Sequence, residues 1–389
     1  MAKKIKEGGY SSRIIKKQQP IVRNDIAKYK SALQAATRVQ EPREELLQNL
    51  YSDTAIDALL TSQINNRFEQ TISTGFELVD SEGNVNDKET QVLLALPVLQ
   101  DIIKAILDSE LYGYTVVELS TDALGLPQII ILPRQHFEPT NGLFYPDLSQ
   151  QKGIAYRETS EYGKWFLEFN STHLGLLNKA VAHVLMKKFA QSCWSELCEI
   201  YGIPPRYIKT NTQDPAMLNR AESMMKDMGA AAWFIIDSTE EFQFANGVTT
   251  TGDVYGNLIN LCNNELSMLI SGAVIGQDTK NGNESKENVS VEVLARLVES
   301  DKRMVEIYFN SVVLPAFRAI GWITAGEGLR FRFSANENTE ELWKKVTAVL
   351  PYKDVKNEWI EEKFGIPVQD KPSLMGSGLS AKLDFNPFG

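Results

Sequence analysis

The residues from Leu176 to Gly202 read as one uninterrupted helix, and no other run in the chain constrains the fold as strongly. Leu177, Val181, Val184, Leu185, Phe189, Cys193, Leu197 and Ile200 recur mostly at three- and four-residue spacing, the period of an apolar line along an α-helix. Gly202 followed by Pro204 and Pro205 is a strong stop. Glycine accepts the left-handed cap, and proline cannot continue the hydrogen-bond ladder. A helix of this length spans on the order of 38 Å, enough to cross a domain.

A chain of 389 residues has room for two or three compact units. Leu46, Leu50, Ile56, Leu59, Leu60, Ile64 and Phe68 predict a helix from about Arg43 to Thr71. An alternating strand at Gly75–Val79 and a turn at Asp80–Asn84 precede a second helix, from about Glu89 to Ser109. Short strands are expected at Tyr114–Ser120, Pro127–Leu132, Leu143–Tyr145, Gly153–Arg157 and Lys164–Phe169, making residues 43–175 one α/β domain. After the long helix, residues 203–248 form a compact insertion. It has strands at Tyr207–Lys209, Ala231–Ile236 and Phe242–Ala245 and a helix from about Asp214 to Met228. A helix over Asp253–Ser271 ends at Gly272. The run from Gly276 to Asn288 has no apolar residue and is expected to be a solvated, flexible loop. Ser290 caps a helix bearing Val291, Leu294, Val298, Val305, Tyr308, Phe309 and Val312, which stops around Pro315. A strand at Leu329–Ser334, two short helices at about Thr339–Leu350 and Lys353–Phe364, and a Gly/Ser-rich tail from Ser373 complete an α+β chain.

Charge is unevenly distributed. The net charge of −10 divides into +7 over residues 1–30, with nine Lys/Arg against Glu7 and Asp25, and −17 over the remainder. A basic, flexible arm on an acidic body is the expectation for residues 1–42. Cys193, Cys198 and Cys262 form no Cys-x-x-Cys pair, so zinc and disulfide frameworks are not expected and a reducing compartment fits. No apolar stretch is long enough to span a bilayer, and no signal-peptide core follows the basic start.

Chemistry-bearing motifs are lacking. The Gly276–Gly282 spacing is wrong for a phosphate-binding loop, and Asn283 follows it. His136, His173 and His183 lie outside metal-binding spacing. Ser192-Cys193-Trp194-Ser195 falls inside a helix rather than on a strand-to-helix elbow. Glu199, Asp237, Glu240 and Glu241 read as a solvated acidic face. Neither an enzyme nor a metal or cofactor site is expected.

The order of the pieces carries a resemblance. A long helix closes with Trp194-Ser195-Glu196-Leu197-Cys198-Glu199-Ile200-Tyr201-Gly202-Ile203-Pro204-Pro205, a small α/β insertion follows, and Ile275-Gly276-Gln277-Asp278 precedes a polar loop and a further long helix. This is similar to the Mu-type phage portal family, in which an aromatic-rich helix closes with Glu-x-Tyr/Phe-Gly-x-Pro and a Leu-Gly-Gln-Thr segment precedes a Gly/Ser-rich loop. Here Asp278 stands where threonine is usual, and Ser285-Lys286-Glu287-Asn288 replaces the Gly/Ser run. The resemblance covers about residues 45–370.

The resemblance implies a portal-like fold: a wing (43–175), a first stem helix (176–202), a clip (203–248), a second stem helix (249–272), a tunnel loop (273–289), a long helix returning to the wing (290–338), a reduced crown (339–372) and a flexible tail (373–389). It implies a dodecameric ring at the virion head vertex, assembled in the host cytoplasm. Double-stranded DNA would pass without sequence specificity. Partners would be the terminase large subunit, neck or adaptor proteins, and major capsid and scaffold proteins. Lys280, Asn281, Asn283 and Lys286 would be the tunnel-loop contacts. Asn260, Asn263, Ser267 and Ser271, with Gly256, would give the second stem helix an uncharged channel face. Rival readings are a phage nuclease, a sequence-reading DNA-binding protein using the C-terminal helix pair, and another virion protein such as a head-completion or minor capsid subunit.

Overall fold

The structure is a computed structural model and describes residues 21–170, 174–202, 206–227, 233–240, 252–274, 284–324, 328–334, 339–353 and 355–367. The chain divides into two units, Met1–Phe333 and Ser334–Gly389.

The first unit begins with α1 (Ile21–Ala36), inside the region expected to be a flexible arm. Ala32 and Ala36 are buried in the main core, and Tyr29 donates to the Asn178 carbonyl at 2.9 Å. Tyr29 and Leu33 also pack against this core, so α1 belongs to the body rather than to a free arm. The single helix expected from Arg43 is two, α2 (Glu45–Ala55) and α3 (Ala58–Ile72). Asp57 breaks it: its carboxylate accepts from the Leu60 amide at 3.1 Å as the N-cap of α3. The break puts Ile56 in solvent, and Leu46 is also exposed, so both leave the apolar stripe assigned to them. Leu47, Tyr51, Leu60, Ile64 and Phe68 are the residues that face the core.

Strand β1 (Phe76–Val79) leads to α4 (Asp87–Leu94) and α5 (Leu99–Tyr112). These replace the one helix expected from Glu89, because Pro97 interrupts the run. The antiparallel strands β2 (Tyr114–Thr121) and β3 (Pro127–Ile131) follow, then short β4 (Phe137–Glu138), β5 (Leu143–Phe144) and β6 (Ile154–Ala155), and β7 (Phe166–Asn170). β2 lies between β3 and β7, and β5 between β4 and β6, all antiparallel. The inner face of β2, through Val117 and Leu119, joins the main core, while Tyr114 and Val116 pack with Phe137 and Tyr156 in a second, smaller cluster.

α6 (Leu176–Gly202) starts beside the end of α5. Gly175 adopts φ +86°, and a Cβ there would lie 2.2 Å from the Leu111 carbonyl oxygen, so only glycine admits this approach. β8 (Arg206–Thr210), α7 (Pro215–Asp227) and β9 (Trp233–Asp237) form a parallel β-α-β unit. The strand expected at Phe242–Ala245 lies outside the described residues. α8 (Asp253–Ser271) packs along α6, and α9 (Glu284–Tyr308) packs on α3 and α5.

The helix expected to end around Pro315 continues: a π turn at Phe309–Val313 joins α9 to α10 (Leu314–Ile320). Pro315 then sits in the first turn of α10, directly after the wider π turn that lets the helix carry it. Val305, Phe309 and Val313 are buried, whereas Val291 is exposed rather than part of the stripe. β10 (Arg330–Phe333) pairs antiparallel with β1. Its other edge is closed by side chains from the helix above it. Asn310 exchanges two hydrogen bonds with the Phe331 backbone (2.7 and 2.9 Å), and Glu306 accepts from the Phe333 amide at 2.8 Å.

One core runs through all of this. It joins α1–α3, α5, β2 and β7 to α6, α8, α9 and β10. In the second unit, α11 (Thr339–Val349) and α12 (Asn357–Phe364) bury Val346 and Ile360, and the Phe364 ring meets Trp343 and Trp359 edge-on.

Candidate channel and subunit-contact surfaces

α6 and α8 run antiparallel. Trp194 of α6 lies over Gly252 and Gly256 at the start of α8, while Lys187, two turns earlier, faces Cys262, further along it. Lys187 also pairs with Asp57 at 2.8 Å, both side chains being buried, which fixes α6 to the start of α3. Burial raises the Cys262 thiol above its ordinary range, against the opposing pull of the Lys187 ammonium.

The far end of α8 is held by α3 and α9. Arg67 makes a bidentate pair with Asp301 (2.6 and 2.7 Å), and its remaining nitrogen donates to the Ile270 carbonyl at 3.0 Å. Burial raises the Asp301 carboxyl, opposed by the hydrogen bonds and charge of Arg67. Ser271 donates to the Gln63 side chain at 2.5 Å. Gly272 then turns the chain at φ +71°, with Val293 of α9 so near that a Cβ would come within 2.6 Å of it. Sequence reasoning missed this node, yet a signal was present. Arg67 lies in phase with Leu60, Ile64 and Phe68, and Asp301 with Leu294, Val298 and Val305. A charge in register with an apolar stripe calls for a buried partner.

These contacts rotate the polar face of α8 away from its expected position. Ser267 and Ser271 are 0% exposed, enclosed against the helices beneath, and cannot line a channel. Asn263 is half-buried, and Asn260 is exposed as expected. The outward face carries Asn257, Asn260 and Asn264 beside Val254, Leu261 and Met268.

The tunnel-loop residues Lys280, Asn281 and Asn283 lie outside the described residues. Lys286 lies in the first turn of α9 rather than in a loop, since the helix begins at Glu284, ahead of the expected cap at Ser290. Glu284 and Glu287 favour this start, because acidic residues are stabilising at a helix N-terminus.

Three of the residues weighed for chemistry, Asp237, His136 and Ser195, are engaged in local hydrogen bonds. Asp237 accepts from the amides and hydroxyls of Thr212 and Thr239 (2.7–3.0 Å), which hold its carboxyl well below the usual range and lock the end of β9. The His136 ring contacts the Tyr145 carbonyl at 2.6 Å, and Ser195 donates to the Gln191 carbonyl within α6. Among the described residues no group of three or more His, Cys, Asp or Glu is placed to hold a metal ion. No single helix there is long and apolar enough to cross a membrane.

In fold, the chain is similar to a solved chain described as the neck of an empty GTA particle, at 14% identity and a TM-score of 0.52, covering 88% of this chain and 99% of that one. An HK97-family phage portal protein from Corynebacterium diphtheriae aligns at 12% identity and a TM-score of 0.41, covering 78% and 97%. No curated protein matches the chain. A helix-rich α+β body built along the α6–α8 pair is a fold shared with that neck chain. More narrowly, the family model described as the portal protein of Mu bacteriophage matches residues 48–366, and the chain belongs to that family.

Proposed function

We propose that copies of this chain close into a ring, a dodecamer by the family resemblance, which forms the DNA channel at the virion head vertex. The family match over residues 48–366 carries this reading. Double-stranded DNA passes through during packaging, is retained, and leaves at ejection. The ring assembles in the host cytoplasm with major capsid and scaffold proteins. The β8–α7–β9 unit, with its loops around Thr212 and Thr239, is the docking surface for the terminase large subunit and later for neck or adaptor proteins.

The outward face of α8 supports a channel role for Asn260, now with Asn257 and Asn264 in place of Asn263, Ser267 and Ser271. Uncharged amides suit a moving duplex, because each phosphate neutralised by a cation adds binding free energy that sliding must give back. The segment joining α8 to α9, with Lys280, Asn281 and Asn283, and Lys286 just beyond it, is the channel constriction. Light scattering on the purified full chain tests the ring: a single species of about twelve subunit masses is expected, and a monomer at every concentration and salt tried would contradict it.

A further inference from the structure

Val254, Leu261 and Met268 are 64%, 56% and 55% exposed at strict seven-residue spacing along α8. The only charge between Val254 and Met268 is Glu265. A stripe with this spacing is the seam that one helix offers another. Its own neighbour cannot fill it, because Gly256, which faces Trp194 of α6, lies on roughly the opposite side of α8 at 3.6 residues per turn.

α6 offers a second, unlike line. Ala182, Met186, Phe189, Cys193 and Leu197 recur at three- and four-residue spacing, are half-buried, and belong to neither apolar core. They sit about a quarter-turn round α6 from Trp194, and so to the side of the contact with α8. Two different lines of similar length on one subunit are what a head-to-tail contact requires, and such a contact closes when rotation brings the last copy back to the first.

We infer that the Val254–Leu261–Met268 stripe of one copy seats on the Ala182–Leu197 line of α6 in the next. The inference rests on the ring reading and gives it a register. Trp194 over Gly252 and Gly256 puts Val254 level with residue 194, and equal rise along the two antiparallel helices puts Leu261 close to the level of residue 187. In a ring whose axis runs along these helices, every copy holds a given residue at the same height. Val254 therefore meets Cys193, Leu261 meets Met186 and Phe189, and Met268 meets Ala182. Glu265 comes within about one turn of the exposed Lys179, so the charges beside the seam are opposite in sign. Asn257, Asn260 and Asn264 stay together on one flank of the stripe, free of the contact.

The test uses the full chain with Cys198→Ser, so that Cys193 is the accessible native thiol on α6. Val254→Cys should form intersubunit disulfides on mild oxidation, seen as a ladder on non-reducing gels. Adding Cys193→Ser should abolish the ladder, and Met268→Cys should not produce one. Leu261→Asp, at an exposed position, should keep the helical circular-dichroism spectrum but lose the ring by light scattering. Rings that persist in Leu261→Asp, with no Cys193-dependent ladder from Val254→Cys, would overturn the seam, leave the stripe for a different partner, and let the ring reading stand. A wild type that never leaves the monomer would overturn both.

Discussion

Arg67 should be the most costly single charge to remove from the first unit. It makes two short bonds to Asp301 and one to the Ile270 carbonyl, and the paired side chains are 7% and 4% exposed. Arg67→Met leaves the Asp301 carboxylate in the core with no counter-charge. Breaking a buried pair from one side costs about 3–5 kcal/mol, and the lost bond to Ile270 adds about 1 kcal/mol. Replacing both partners, as Arg67→Met with Asp301→Leu, removes the stranded charge and should recover most of that loss, since apolar substitutes for a buried pair are often neutral or stabilising. Urea unfolding followed by circular dichroism, with every sample in the same association state, measures both variants. A cost below about 1 kcal/mol for the single variant, or a double variant no better than the single, would refute this account of how the ends of α8 and α9 are held.

Burial raises the Glu44 carboxyl from 4.5 to about 7, partly offset by the Gln48 amide and reinforced by Glu138. A folded-state pKa above the unfolded one favours the neutral acid, so stability should fall as pH rises from about 4.5 to 7 and level off beyond. Glu44→Gln should therefore stabilise the protein by roughly 3 kcal/mol at pH 8 and have little effect near pH 4, by urea unfolding at both values. Gly175→Ala should fail to fold or lose several kcal/mol, because the new Cβ meets backbone at the Leu111 carbonyl; soluble yield and melting temperature check this. Asp237→Ala should raise amide hydrogen exchange across β8, α7 and β9 while rings still form.

Sequence made some elements legible and hid others for identifiable reasons. α6 was readable because its apolar period is long and Gly202 with two prolines ends it, and α8 because Gly272 ends it. The break at Asp57 was not. The residues from Leu46 to Phe68 keep an approximate helical period through it, and the capping bond to Leu60 depends on a kink that periodicity does not register. Pro315 misled in the opposite direction, because a π turn let the helix carry it. The face of α8 was misjudged for a tertiary reason. Ser267 and Ser271 are polar like Asn257 and Asn264, and the contacts of Gln63, Arg67 and α3 help determine which pair is buried.

The central claim is that these subunits close around a hole. Electron microscopy of the purified full chain, sorted into two-dimensional class averages, tests it most directly. The account predicts end views of closed rings with a central opening wide enough for a DNA duplex and side views with the α6–α8 pair running along the axis. Compact particles with no opening, or open filaments, would contradict it.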